Sequence, residues 1–174
     1  MGNEIKDKII SEAKRIEEDC LFSSKGHFEA ARLWSSFHFW IGIPTVVIAA
    51  VAGALAFSNW PICAGILSLL VTASTAVITF VNPNEKASAH HKAGTIYNSL
   101  RSDVRLFYEV EVAQSDDSQK LTDELESVSK QRSKLGEDSP QVPRWAYQKA
   151  KTGIESGEAT YQVDSSRPKT KKSR

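Results

Sequence analysis

Between Arg32 and Glu85 the chain contains no Asp, Glu, Lys or Arg, although a quarter of its 174 residues are charged. A charge-free stretch of about fifty residues constrains the fold more than any other feature. Crossing a hydrocarbon layer of about 30 Å takes about 20 helical residues at 1.5 Å rise each, so the gap holds two spans and a turn. Phe37 to Phe57 and Ile62 to Val81 are the two candidates. Ser58-Asn59-Trp60-Pro61 between them favours a tight turn, with Trp60 suited to a headgroup boundary. Backbone groups in lipid must pair internally, so each span is expected to be helical and the two to form an antiparallel hairpin. A buried hairpin in a soluble bundle is the alternative. It would need a polar face that these segments lack and enough further apolar residues to wrap them.

The run begins too late and is too long for a signal-peptide core. Met1-Gly2-Asn3-Glu4-Ile5-Lys6 lacks the Ser or Thr of a myristoylation signal. Lys14, Arg15, Lys25 and Arg32 precede the first span; Lys86, Lys92, Arg101 and Arg105 follow the second, and the turn has none. The positive-inside rule then places both termini in the cytosol of an inner (plasma) membrane protein. A net charge of +1 argues against a nucleic-acid partner, and Cys20 and Cys63 are too few for a disulfide framework. Each cysteine reads as a small apolar filler.

The expected fold class is an all-α membrane protein: a two-span helical hairpin (37–82) between a cytosolic N-terminal helix (1–36) and a cytosolic helical region (83–162), with a disordered basic tail (163–174). Glu4 to Leu33 should be helical, with Ile5, Ile9, Ala13, Ile16 and Cys20 on one stripe and a break expected at Ser23-Ser24-Lys25-Gly26. Glu85 to Val112 reads as one helix with Ala89, Ala93, Ile96, Leu100, Val104, Phe107 and Val110 inward. Ser115 to Ser118 breaks it and offers an N-cap. Gln119 to Leu135 follows, with Leu121, Leu125, Val128 and Leu135 apolar, Arg132 out of pattern and Gly136 as its stop. Pro140 and Pro143 lead to a short helix from Arg144 to about Ser156.

No enzyme signature, cofactor motif or metal-binding cysteine pair is found. Adjacent helical residues such as His90 and His91 point about 100° apart and share no face, so they read as interfacial histidines. His38 is a snorkelling imidazole at the span mouth. The informative pattern is small and hydroxylated. Gly65, Ser68, Thr72, Thr75, Thr79 and Asn82 recur at steps of three and four in the second span, as do Gly42, Thr45, Ala49, Ala52 and Ala56 in the first. Two uses are open: the stripes zip the hairpin together, or the hydroxyl stripe lines a path where several hairpins assemble. Two helices cannot enclose a pore, so conduction would require a homo-oligomer.

Several segments resemble the SMODS and SLOG-associating two-transmembrane effector (SLATT) family of prokaryotic conflict systems. They are Cys20-Leu21, Lys25-Gly26-His27-Phe28, Trp34, His38 and Gly42-Ile43-Pro44 before and within the first span. After the second come Glu85-Lys86, His90-His91-Lys92, Tyr97, Leu100, Arg101 and Arg105. Ser139 to Ala146, Lys149-Ala150 and Ile154 to Ala159 complete the set. The resemblance implies a pore-forming antiphage effector that permeabilises the inner membrane and kills or arrests the cell. The sequence departs from the fused architectures of the family in lacking a nucleotide-sensing or nucleotidyltransferase segment, which leaves the trigger open, with a functional link to a nucleotidyltransferase or nucleotide-sensing protein as one expectation. A non-conducting anchor for a cytosolic partner is the competing expectation.

Overall fold

The charged N-terminal segment and the first apolar run form one continuous helix. The computed structural model describes residues 2–161, and α1 occupies Gly2–Ala56, about 82 Å of unbroken helix. The break expected at Ser23 to Gly26 does not occur. Ser24 Oγ donates to the Leu21 carbonyl, and Gly26 stays helical beneath the Val142 side chain, which lies 3.0 Å from where a Cβ would stand. Tertiary packing here overrides the weak helix propensity of Ser and Gly. Pro44 also lies inside α1.

A short turn leads to α2 (Pro61–Val81), which opens on a proline whose missing N–H costs nothing at a first helical position. The next joint is a single residue. Asn82 adopts φ 45°, ψ 57°, and α3 (Pro83–Leu106) begins immediately after it. Pro83 disfavours α geometry in the residue before it, and Asn tolerates the left-handed region better than most side chains. The Asn82 amide also donates to Glu85 across the joint.

The helix expected from Glu85 to Val112 is continuous to Gln114, but it is not α-helical throughout: after Leu106 it widens into a π-helical turn, Phe107–Glu111. The Val112 amide donates to the Phe107 carbonyl, and both side chains are buried. Five residues apart, they reach one face only because the turn is wide. The expected N-cap is present: Asp117 accepts from the amides of Gln119 and Lys120 and starts α4 (Ser118–Asp138). Asp117→Ala should cost about 1 kcal/mol, read as a drop in thermal midpoint. Gly136 does not stop this helix; it runs on to Asp138 and ends where Pro140 follows. α5 (Arg144–Glu155) closes the described fold.

Every regular element among the described residues is helical. The N-terminal half of α1 lies at the centre of a bundle, with α3, α4 and α5 packed on it. Its buried stripe is Ile9, Ala13, Ile16, Cys20, Ser24, His27 and Ala31, while Ile5 is exposed. Opposite it stand Ala87, His90, Ala93, Tyr97, Leu100, Val104 and Phe107. The α3 seam thus keeps four of the expected inward residues but passes through Ala87, His90 and Tyr97, leaving Ala89, Ile96 and Val110 outside. Leu121 is fully buried from α4, and Leu125, Val128 and Leu135 of the same helix are partly buried against the core. Arg132, the exception in that stripe, reaches Asp19 on α1 at 3.0 Å.

Beyond this bundle, among the described residues, the C-terminal half of α1 packs on α2, and the outer faces of both are left uncovered. In the most apolar 18-residue window of each, just 6% is buried. Trp40, Val46, Leu69 and Phe80 are among the large apolar side chains left exposed. The chain therefore has two helices long and apolar enough to cross a membrane. The core helix of a soluble protein would be mostly covered.

Candidate functional site

Exposure separates the two small-residue stripes. On α1, Gly42 and Thr45 are partly buried and Ala52 is buried at 5% exposure, so these three lie on the seam with α2. Ala49 and Ala56 are exposed. On α2 the seam is made by Cys63, Ala64, Leu67, Val71, Ser74, Ile78 and Val81. Gly65, Ser68, Thr72, Thr75 and Thr79 are all exposed, and Asn82 forms the helical joint. The hydroxyl stripe therefore does not zip the two helices together. The α2 side of the seam is largely aliphatic, and the hydroxyls face outward.

Their local chemistry is that of hydroxyls in helices. Ser68 Oγ donates to the Ala64 carbonyl at 2.9 Å, Thr72 Oγ1 to Ser68 at 2.9 Å, and Thr45 Oγ1 to Ile41 at 2.7 Å. Each hydroxyl keeps its oxygen lone pairs available outward while its proton is held by its own helix. No atom lies within 4 Å of the Cβ position of Gly65, so its side of α2 has open space for another helix.

A second constellation lies in the adjacent bundle. His27 on α1 and His90 on α3 are 2% and 5% exposed, and their Nδ1 atoms are 3.0 Å apart. The Tyr97 ring stacks on His27 with centroids 5.5 Å apart, and the Tyr97 hydroxyl is hydrogen-bonded to Ser139. One turn beyond His90 the helices meet at Gly94. A Cβ there would stand 3.0 Å from the Phe28 ring and 3.2 Å from the Ser24 carbonyl oxygen. His91, by contrast, is exposed and tilts against Phe28. The two adjacent histidines do lie on different faces, but His90 is a seam residue rather than an interfacial one. What placed it there is partnership: a buried imidazole needs a hydrogen bond, and His27 supplies it. The legible signal was the spacing of His27 from Cys20 and Ser24, which continues the buried stripe of α1.

Burial holds His27 well below the usual imidazole range, at about 4, with the neighbouring His90 adding to the effect; burial lowers His90 as well. Both rings are therefore neutral at pH 7, one donating its Nδ1–H to the Nδ1 of the other. Burial also pushes the Cys20 thiol up to about 11, which makes it inert, as expected of an apolar filler. Cys63 is partly buried on the α1–α2 seam. His38 is exposed. No group of three side chains suited to holding a metal occurs among the described residues.

At the far end of the bundle Tyr161 lies against the guanidinium groups of Arg105, at 4.8 Å, and Arg101, at 5.6 Å. Arg101 is also paired with Glu17 at 3.4 Å. These contacts tie the segment after α5 back to α3. The basic tail from residue 163 onward lies outside the described residues.

What the fold defines is an all-helical protein with two long, laterally uncovered apolar helices joined to a packed helical bundle. Comparison with family profiles, curated proteins and solved structures gave no match.

Proposed function

We propose that this chain is a membrane effector that oligomerises through its apolar helix pair and permeabilises the inner membrane, with both termini in the cytosol. The observation that carries the reading is the position of Gly65, Ser68, Thr72, Thr75 and Thr79 on the face of α2 turned away from α1. A lone hairpin in lipid gains nothing from presenting five small or hydroxylated side chains outward. Beside another hairpin, the same face permits close backbone approach and offers oxygen atoms to water or ions. The length of α2, about 31 Å, matches a hydrocarbon core. The resemblance to SLATT effectors agrees with this reading and gives it a biological setting: killing or arrest of an infected cell, triggered by a nucleotidyltransferase or nucleotide-sensing protein.

Controlled expression in bacteria with a potential-sensitive dye tests the proposal. The native chain, with its trigger present, should depolarise the cells. Thr72→Leu combined with Thr75→Leu should lower that activity by at least about tenfold at unchanged membrane abundance, because two hydroxyl positions become hydrocarbon. An intact membrane at high expression with the trigger present would overturn the effector reading. It would leave the chain as a membrane anchor for a cytosolic partner.

A further inference from the structure

We propose that the His27–His90 contact is a proton-operated latch between α1 and α3, closed at neutral pH and released by acidification of the compartment that holds the bundle. The geometry permits one proton between the two rings and no more. At 3.0 Å, one Nδ1 must donate and the other accept, so the accepting ring carries its own proton on Nε2. A second proton on the accepting Nδ1 sets two N–H groups head to head. It also creates an imidazolium with no acceptor in a site that is 2–5% exposed.

Among the described residues, no carboxylate is paired with either ring to absorb that charge. From α3, His27 is faced by His90 and by Tyr97, whose hydroxyl is engaged with Ser139 in the α4–α5 connection. On α1 itself, Lys25 is paired with Glu158, and Glu29 with Arg32 and with Lys149 of α5. Arg132 of α4 is paired with Asp19. Val142, from the α4–α5 connection, covers Gly26 with hydrocarbon. The preceding turn offers Ser24, whose hydroxyl proton is already given to the Leu21 carbonyl.

The sign follows from the direction of the two shifts. The packed bundle holds both imidazoles below the ordinary value of 6.5, so the separated helices bind protons more readily than the packed ones. The contact is at full strength above about pH 6.5 and is lost progressively as pH falls toward about 4. The latch lies where this matters mechanically. His90 stands eight residues after the Asn82 joint, and His27 lies on the same helix as the first apolar segment. Release therefore frees the bundle end of both apolar helices at once.

Amide hydrogen exchange on the full chain in detergent or nanodiscs tests this, with rates corrected for the intrinsic effect of pH. Between pH 7.5 and pH 5.0, protection of residues 87–97 should fall by at least about tenfold. Asparagine places an amide nitrogen or oxygen where Nδ1 stood, so His27→Asn with His90→Asn keeps a hydrogen bond and removes the titration. That double variant should lose less than about twofold of its protection over the same range. Equal loss in the native chain and the double variant, or no loss in the native chain, would overturn the proposal. Should the variant fail to fold, nitrogen-15 imidazole titration of the native chain decides. Two depressed titrations support the latch, and two ordinary ones near 6.5 refute it.

Discussion

Leu69→Arg should remove the protein from the membrane fraction. Leu69 is 72% exposed and sits near the middle of α2. In lipid, exchanging an aliphatic side chain for a guanidinium at mid-span costs about 3 kcal/mol of insertion free energy, less whatever snorkelling recovers. In water the same exchange at an exposed position should move stability by no more than about 0.5 kcal/mol and improve solubility. The two environments thus give opposite results for one substitution. Quantitative fractionation beside a Phe80→Arg control reads the difference. Phe80 is 96% exposed but lies one residue from the end of α2, where an arginine reaches the interface at small cost. Loss of Leu69→Arg with retention of Phe80→Arg is the lipid signature. Recovery of the native chain and both variants in the soluble fraction would return the chain to the soluble hairpin.

Gly94→Val should have the second large effect, within the bundle. A Cβ at Gly94 would already stand 3.0 Å from Phe28 and 3.2 Å from a backbone oxygen. The ring can rotate aside, but the Ser24 carbonyl belongs to α1 and moves only with the helix. Valine adds two methyl groups to that conflict, for an expected loss of about 3 kcal/mol, at the upper end for overpacked sites. Gly94→Ala is the graded companion. It should cost about 1 kcal/mol, because the gain in helix propensity, itself about 1 kcal/mol, offsets part of the clash. Thermal unfolding followed by circular dichroism in one detergent gives both values. An alanine variant as stable as the native chain would mean that α1 and α3 can part locally at no cost.

The features that were legible in the sequence are those that act locally or by composition. The charge-free interval set the two apolar helices, because a helix on the surface of a soluble protein carries a polar face and these segments carry no charge over about six turns. The Ser115 to Ser118 break announced the cap that Asp117 supplies, since a side-chain acceptor acts within one turn. What escaped was decided by partners distant in the chain. Gly26 and Gly136 read as interruptions, yet each lies inside a helix, under Val142 in one case and 3.7 Å from the Tyr97 hydroxyl in the other. Ile96 read as inward and Tyr97 did not, because hydrophobicity ranks isoleucine higher. The actual seam buries the tyrosine, whose ring stacks on His27 and whose hydroxyl finds Ser139. The histidine pair was half legible: the spacing of His27 continues the stripe of Cys20 and Ser24, but nothing near His90 in sequence shows its partner, and each ring is acceptable in the interior only because the other is there. The outward direction of the hydroxyl stripe on α2 likewise depended on which aliphatic residues the first helix chose to cover.

The two apolar helices leave the bundle by different means. One meets α3 at a left-handed asparagine, a joint able to bend; the other is the same rod that runs through the centre of the bundle. Torque applied to the charged half of α1 meets no elbow before the apolar half of the same helix begins. If carried straight through Pro44, where one helical hydrogen bond is missing, a tilt of about 10° at the bundle would move the far tip of the rod, some 36 Å away, sideways by about 6 Å, more than half a helix diameter. On the membrane-effector reading proposed above, such leverage would let an event confined to the aqueous side rearrange neighbouring hairpins without any ligand entering the lipid.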